Sequence, residues 1–390
     1  MQFVGYTQAW ARVQCAHHDA GPMKKITRFV GMDAHKDTIS IAVAREGRDP
    51  AEALGTISND GLRLLKRLDR LGPRDELLCC YEAGPTGYGL QRYLRSAGIR
   101  CQVVAPSLVP DRQGDRVKTD KRDATKLAHY LRSGDLTAVW IPDEQTEALR
   151  DLVRARDDAK IAETKARQRL GKFLLRHDRR YTGKTAWTGM HLEWIRSQKF
   201  DHVAQDRVLR EYLHSVEQAT DAVKRLAGDI AELVQASSIE PLVSALQALK
   251  GVRLITAAGI AAELGDLQRF AKARALMSYL GLGVREDSTG KSRRQFSITK
   301  TGNKHVRRLL VEAAWSYRHP PRIDAHLKKR SEDLPEEIRR IAWTAQHRLH
   351  LRYRRLLARS KPRQVVLIAI ARELAGFIWA IGQRVQLRAA

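Results

Sequence analysis

The stretch TRFVGMDAHKDTISIAVAREG, residues 27–47, holds two β-rich runs on either side of a polar turn at His35–Asp37. Apolar runs of this length around a polar turn predict two neighbouring antiparallel strands. A third β-rich run follows at ALGTISN, residues 53–59. The chain is therefore expected to open its first domain with a three-stranded meander.

Helical and extended patterns alternate after this meander. GLRLLKRLDRLG (61–72) and TGYGLQRYLRSAG (86–98) have helical periodicity, whereas ELLCCYEAG (76–84) and IRCQVVAP (99–106) have the composition of buried strands. A meander followed by alternating helices and strands is typical of an α/β domain with a mixed sheet. We predict such a domain over residues 26–142, after an N-terminal extension, residues 1–25, that we expect to be poorly ordered.

The rest of the chain has a helical composition. The segment 143–238 is charged and contains a heptad-like repeat in VLREYLHSVEQATDAVKRLAGDIAELV, which predicts a coiled-coil connector that either folds as an antiparallel hairpin or oligomerises. Residues 239–390 are predicted to form a small helical domain. Within it LKGVRLITAAGIAAELGD has the helix, glycine turn and helix of a helix-hairpin-helix segment that contacts DNA phosphates, although an ordinary αα-hairpin fits equally well. The predicted fold class is α/β plus all-α.

Composition indicates the kind of partner. The 390 residues include 70 Lys and Arg against 44 Asp and Glu, a formal net charge of +26, which favours nucleic acid over a membrane surface, with a merely soluble basic surface as the alternative. Aromatic residues make up 6%, so phosphate contacts should dominate recognition of nucleic acid.

The apolar stretch 365–381 is broken by Arg372 and Glu373, which favours a buried helix over a membrane span. The four cysteines lack zinc spacing and are expected to be reduced in a cytosolic protein.

Four carboxylates stand out against this positive charge. Asp33 and Glu82 each end an apolar strand, where an unpaired charge is costly. In KTDKRDATKLAHYLRSG (118–134), Asp120 and Asp123 continue the apolar stripe of a helix toward the sheet. Converging carboxylates predict a site for Mg²⁺ or Mn²⁺, and a two-metal site suits displacement at a phosphodiester. The competing interpretation is that the two helical aspartates merely cap the helix or complement its dipole.

The sequence around these acids resembles that of a known family. MDAHKD around Asp33, YEAGPTGYGL after Glu82 and KTDKRDATKLA around Asp120 and Asp123 are similar to the Asp-Glu-Asp-Asp signature of the insertion-sequence one-ten family of transposases. The resemblance implies an RNase H-like, RuvC-like first domain in which all four acids are catalytic metal ligands. It covers nearly the whole chain beyond residue 25.

The same resemblance implies a nucleophilic serine in the last domain. The family pattern Pro-Arg-x-x-Ser-x-Gly matches residues 284–290 and points to Ser288, with Val284 in place of the usual proline; Ser292 and Ser297 remain rivals. A serine hydroxyl needs its proton removed and the phosphate charge offset. The basic residues expected to contact nucleic acid are Lys118, Lys121, Arg122, Lys126, Lys291, Arg293, Arg294, Lys300, Lys304, Arg307 and Arg308.

The sequence thus predicts an enzyme that breaks and rejoins the DNA of an insertion sequence. The resemblance further implies a transient phosphoserine linkage, guidance by a structured non-coding RNA, dimers that assemble into tetramers, and a cytoplasmic, nucleoid-associated place in a bacterium or archaeon. Two alternatives stay open: a metal-dependent nuclease or junction resolvase that uses water, and a non-catalytic nucleic-acid-binding scaffold.

Overall fold

A computed structural model describes residues 25–110, 119–289 and 292–387. The chain divides into two compact units, one ending at Ile141 and the other beginning at Pro142. The predicted N-terminal extension lies almost wholly outside the described residues.

The first unit is built on a five-stranded sheet. Its strands are β1 (Arg28–Ala34), β2 (Thr38–Arg45), β3 (Glu52–Ser58), β4 (Leu77–Glu82) and β5 (Arg100–Val104). They lie in the order β3-β2-β1-β4-β5. The pairs β1–β2 and β2–β3 are antiparallel, whereas β1–β4 and β4–β5 are parallel. The predicted mixed sheet that begins with a meander is confirmed.

Three helices cover the two faces of this sheet: α1 (Gly61–Asp69), α2 (Gly89–Ser96) and α3 (Asp120–Ser133). Leu64 of α1 and Leu94 of α2 pack with Val30 and Met32 on one face. On the other face Ala124 and Ala128 of α3 pack with Ala42 and Ala44, and Leu127 packs with Cys80. Alternate residues of one strand therefore meet different helices, as the period of two along a strand requires.

Gly31 sets the distance between α3 and the sheet. A Cβ atom at this position would lie 2.2 Å from the carbonyl oxygen of Ala124 and 2.4 Å from the backbone nitrogen of Ala128. Only a residue without a side chain lets the helix backbone come this close to β1. The contact lies two residues before Asp33.

The second unit begins with two long helices, α4 (Glu144–Arg176) and α6 (Val203–Gln235), with the short α5 (Gly189–Ser197) between them. Leu149 and Val153 near the start of α4 share a core with Ile230 and Val234 near the end of α6. Leu170 and Phe173, farther along α4, pack with Leu209 and Val216. The connector therefore forms the antiparallel hairpin that was one of its two predicted arrangements.

The remaining helices surround one large apolar core. They are α7 (Glu240–Leu246), α8 (Leu254–Leu264), α9 (Ala273–Tyr279), α10 (Lys304–Ala314), α11 (Ala325–Ser331), α12 (Glu336–Ala358) and α13 (Arg363–Gly382). The predicted helix, glycine turn and helix correspond to α7, the turn 247–253 and α8. In this turn Gly251 has φ +83°, and a Cβ there would lie 2.6 Å from the Ala313 carbonyl oxygen, so the turn packs against α10.

This helical region also contains a pair of strands that its composition did not predict. The segment around Ser288 forms a β-hairpin of β6 (Val284–Thr289) and β7 (Ser292–Ile298). Polar residues can form such a pair because the ladder hydrogen bonds come from the backbone. Ser288 lies in β6, opposite Arg293.

Helix α13 is long and apolar enough to cross a membrane by length and composition alone. Half of its most apolar window is buried within the protein, and Val366, Ile370, Leu374 and Ile378 belong to the large core. The packing favours the predicted buried helix over a membrane span.

Among the described cysteines, Cys79, Cys80 and Cys101 are free thiols, and burial raises the pKa of Cys79 to about 12.

Candidate metal and nucleic-acid site

Asp33 and Glu82 lie at the ends of neighbouring parallel strands. Met32 of β1 is in register with Tyr81 of β4, so the two acids follow directly at the same edge of the sheet. Residues two apart in a strand point to the same face of the sheet. Asp33 therefore shares the face of Gly31, and Glu82 shares the face of Cys80, which is the face covered by α3. Adjacent strands lie about 4.8 Å apart, so the two backbones are close.

The start of α3 supplies the other two acids. The N-cap is Thr119, whose hydroxyl accepts a hydrogen bond from the Arg122 backbone N–H, and Asp120 and Asp123 follow in the first turn. Asp120 is therefore not the capping residue. Asp123 is half-buried, whereas the side chain of Asp120 is 57% exposed. Both aspartates were predicted to point toward the sheet, and the burial of Asp123 fits this prediction better than the exposure of Asp120.

His35 joins this group, although sequence reasoning placed it only in the β1–β2 turn. Its Nε2 atom lies 3.3 Å from Oδ2 of Asp33 and 3.6 Å from Oδ1 of Asp120. One ligand atom from each of these three residues lies within 4.8 Å of the other two. The sequence feature that could have identified His35 is its position two residues after Asp33 in MDAHKD. Glu82 is exposed and has a partner of its own, but it is outside this three-residue group.

The electrostatics of Asp33 fit a cation site. Partial burial raises the pKa of its carboxyl group; His35 opposes the shift, and the negative charges of Asp120 and Asp123 add to it. A divalent cation would relieve this repulsion, and two carboxylates with one imidazole are a suitable donor set for such an ion. Asp33, Asp120 and His35 could therefore hold the metal directly, with Asp123 and Glu82 near the same sheet edge.

A basic groove of about 700 Å³ lies along α3 and the β2–β3 loop. Its lining, as far as the described residues go, combines five cationic side chains and a histidine with small and hydroxyl-bearing residues and includes no carboxylate. The basic members are Arg48, Lys121, Arg122, Lys126, His129 and Arg132. Helix α3 thus has acidic side chains in its first turn and basic side chains that line the groove beside them. Lys118, also predicted to contact nucleic acid, lies outside the described residues.

The hairpin β6–β7 holds the three candidate serines on its two strands. Ser288 is paired in register with Arg293, while Ser292 and Ser297 belong to β7. Arg294 and Ser297 are exposed. Lys291 lies outside the described residues, as do the side chains of Ser288, Ser292 and Arg293.

The base of the hairpin is tied to the helical core. The Thr299 N–H donates to the Gly283 carbonyl, and the Asn303 N–H donates to the Tyr279 carbonyl. The Asn303 side chain caps α10 and also donates to Oε2 of buried Glu263 at 2.8 Å. Arg154 of α4 donates to the other oxygen of Glu263 at 2.8 Å. Buried Glu263 therefore links Arg154 of α4 to Asn303 at the start of α10, close in sequence to the end of the hairpin.

The predicted basic residues of α10 and of the turn before it have two different environments. Lys300 and Lys304 are exposed. Arg307 instead donates to the Leu280 carbonyl at 2.7 Å, and Arg308 pairs with Asp157 and Glu312. Nucleic-acid contact by Arg307 and Arg308 stays a prediction, but both guanidinium groups already have partners within the fold.

Two family models match this chain, and both describe transposases. Residues 30–177 match a family described as "Transposase", of the DEDD type, and residues 243–328 match one described as "Transposase IS116/IS110/IS902 family". The first match contains Asp33, Glu82, Asp120 and Asp123, and the second contains Ser288.

Individual relatives show similarity over most of the sequence. A protein of Sinorhizobium fredii named as a candidate transposase, y4qE, is 48% identical over 91% of this chain and 88% of its own length. The transposase for insertion sequence element IS1533 of Leptospira borgpetersenii is 32% identical over 85% of this chain and 97% of its own. The transposase for element IS1328 of Yersinia enterocolitica is 24% identical over 65% and 76%.

Proposed function

Since the chain belongs to the IS116/IS110/IS902 family of DEDD-type transposases, we propose that it breaks and rejoins DNA through a covalent link to Ser288. The observation that carries this proposal is the convergence of Asp33, Asp120 and His35 at the edge of an RNase H-like sheet. A DEDD-type domain implies a divalent metal, and the donor set there fits one.

The proposed ligands are the four acids Asp33, Glu82, Asp120 and Asp123, and the proposed ion is Mg²⁺, with Mn²⁺ as a substitute. When bound, such an ion would offset negative charge at the phosphodiester and act there as a Lewis acid. Lys121, Arg122 and Lys126 hold the neighbouring phosphates, because they line the basic groove on the same helix. Asp33 and Asp120 keep their orientation through His35.

The proposed chemical step is a transesterification at phosphorus. The Ser288 oxygen forms a bond to the phosphorus while the bond to the leaving deoxyribose oxygen breaks; the serine proton passes to a base, and the leaving oxygen gains a proton. Arg293 and Arg294, from the facing strand, are proposed to offset the phosphate charge. Reversal of the step with a different deoxyribose hydroxyl rejoins the DNA and releases the serine.

Three further properties belong to the proposal. A structured non-coding RNA guides the choice of DNA, subunits assemble as dimers and then tetramers, and the cytoplasmic enzyme associates with the nucleoid. The net charge of +26 supports a second polyanionic partner beside the DNA. Structured RNA that co-purifies with the protein is the observation that checks the first of these properties.

The proposal is tested by trapping the covalent adduct. The purified chain is incubated with Mg²⁺ and a labelled, nicked DNA fragment that carries the end of its own element, and is then resolved on a denaturing gel. We expect a protein-linked band that Ser288→Ala abolishes and that Ser292→Ala and Ser297→Ala retain. Asp33→Asn should abolish it as well, whereas Glu52→Gln, a matched exposed acid on β3, should not.

Three outcomes would contradict the proposal. An adduct that persists in Ser288→Ala would exclude this serine as the nucleophile. Metal-dependent cleavage without any adduct would favour the nuclease that uses water. Binding without cleavage or metal dependence would favour the non-catalytic scaffold.

A further inference from the structure

Helix α12 has one buried face and one strongly basic face. Ile338, Ala342, Ala345, Leu349 and Tyr353 are buried in the core at spacings of three and four residues. A second face, beside the buried one, carries four exposed arginines, Arg348, Arg352, Arg355 and Arg359, the last at the helix C-cap. The buried face fully accounts for the packing of the helix, so the arginines are not needed to complete the core.

These arginines line a groove of about 940 Å³ on the α13 side of the helix, here called the α12–α13 groove. Its other lining residues are Trp343, Thr344, His347, Leu351, Leu356 and Glu373. Four guanidinium groups thus face a single carboxylate among the residues that line this groove. The groove therefore has a net positive charge and suits an anionic ligand.

Glu373 organises two of the arginines. Nη1 of Arg352 lies 3.0 Å from Oε2 of Glu373, and Arg348 pairs with the other oxygen of the same carboxylate. Glu373 is only 14% exposed, whereas the side chains of Arg348 and Arg352 are 66% and 49% exposed. Each guanidinium has five N–H donors, more than one shared carboxylate can accept. The two arginines are held in place and keep donors for a ligand.

The spacing of the arginines indicates the shape of that ligand. From Arg348 to Arg359 the helix advances about 16 Å, at about 1.5 Å per residue. A small anion needs charges that converge on one point, whereas these charges form a row. The phosphates of a DNA strand likewise form a continuous row of negative charge, so an extended row of arginines matches a DNA backbone better than a single small anion.

We propose that the α12–α13 groove binds the sugar–phosphate backbone of duplex DNA. The arginines contact successive phosphates without reading bases, which adds affinity to a chain that acts on DNA. This site is separate in sequence from the proposed metal ligands and from Ser288. It goes beyond the proposed chemistry and depends only on the action of the chain on DNA.

The test uses Arg355→Gln/Arg359→Gln in the full chain, because these two positions leave the Glu373 pairs intact. The matched control is Arg339→Gln/Arg340→Gln, which removes two exposed arginines from the same helix outside the groove. Affinity for a fluorescent 30-base-pair DNA duplex and for a hairpin RNA of equal length is measured by anisotropy at several salt concentrations without metal.

We expect the groove variant to lose at least about tenfold in affinity for duplex DNA near 0.1 M salt, and its salt slope to fall by about two. The control should stay within about twofold of the wild type, and the thermal unfolding midpoints of both variants should match it. Equal losses in the two variants, no loss in the groove variant, or a loss confined to RNA would each overturn the proposal. Because no cleavage is measured, these outcomes are independent of Ser288 and the metal.

Discussion

The imidazole of His35 lies within 3.6 Å of carboxylate oxygens from both β1 and α3. Asp33 and Asp120 belong to segments far apart in sequence, and His35 contacts both. A neutral imidazole can ligate a divalent ion through Nε2, and a protonated one can pair with both acids. In either form the residue stabilises an arrangement in which the acids would otherwise repel each other.

We predict that His35→Ala weakens binding of Mn²⁺ to the chain by about tenfold or more, because a ligand or its orienting partner is lost. The measurement is a titration followed by electron paramagnetic resonance of free Mn²⁺, which requires no DNA and no catalysis. His129→Ala, on the basic side of α3, serves as the control and should leave the affinity unchanged. Unaltered Mn²⁺ binding in His35→Ala would mean that the imidazole has no part in holding the metal.

At the scale of elements, the site depends on how closely α3 approaches β1. The backbone of α3 lies against Gly31, and this contact brings Asp120 and Asp123 toward Asp33. The helix offers Ala124 and Ala128 to the sheet, so small residues line both sides of the contact. Any side chain at position 31 must move the helix, and the acids at its start would move with it.

Gly31→Ala is therefore expected to loosen α3 specifically. Overpacking of this kind costs about 1–3 kcal/mol, which corresponds to amide exchange faster by roughly 5- to 150-fold. Hydrogen exchange followed by mass spectrometry should show this loss of protection over residues 120–133, together with weaker Mn²⁺ binding. Gly89→Ala is the control, because a Cβ at the start of α2 meets nothing within 4 Å. Wild-type protection of α3 in Gly31→Ala would contradict the argument.

Elements that bury apolar side chains could be predicted from the sequence. Strands β1, β2, β4 and β5 show apolar runs, and helices α1 to α3 show the period of about 3.6 that burial imposes, whereas the largely exposed β3 was predicted from its β-rich composition. The hairpin β6–β7 exposes Val284 and Phe296 and has a polar sequence, so no such period marks it. His35 was missed for a related reason: its place beside Asp120 depends on the close contact at Gly31, which no local pattern encodes.

At the scale of the whole molecule, basic surface occurs in both units. The groove along α3 lies in the first unit and the α12–α13 groove in the second, and the chain carries a net charge of +26. Each Lys or Arg that contacts a phosphate releases condensed counterions from the DNA, so binding weakens as salt rises. With both grooves bound to DNA as proposed, affinity would be the sum of many phosphate contacts along the chain, whereas the proposed chemistry depends on a few residues.

We predict that the affinity for a non-specific DNA duplex, measured with EDTA, falls by about 10³- to 10⁵-fold between 50 and 200 mM salt, as six to ten phosphate contacts require. Lys121→Gln/Arg122→Gln should lower the slope of log K against log salt by about two, since it removes two cations that line the α3 groove. Lys66→Gln/Arg70→Gln changes the net charge equally, at exposed positions in α1 and at its C-cap, and should leave the slope nearly unchanged. Equal slopes for both pairs would mean that net charge alone, without localised phosphate contacts, governs how this chain holds DNA.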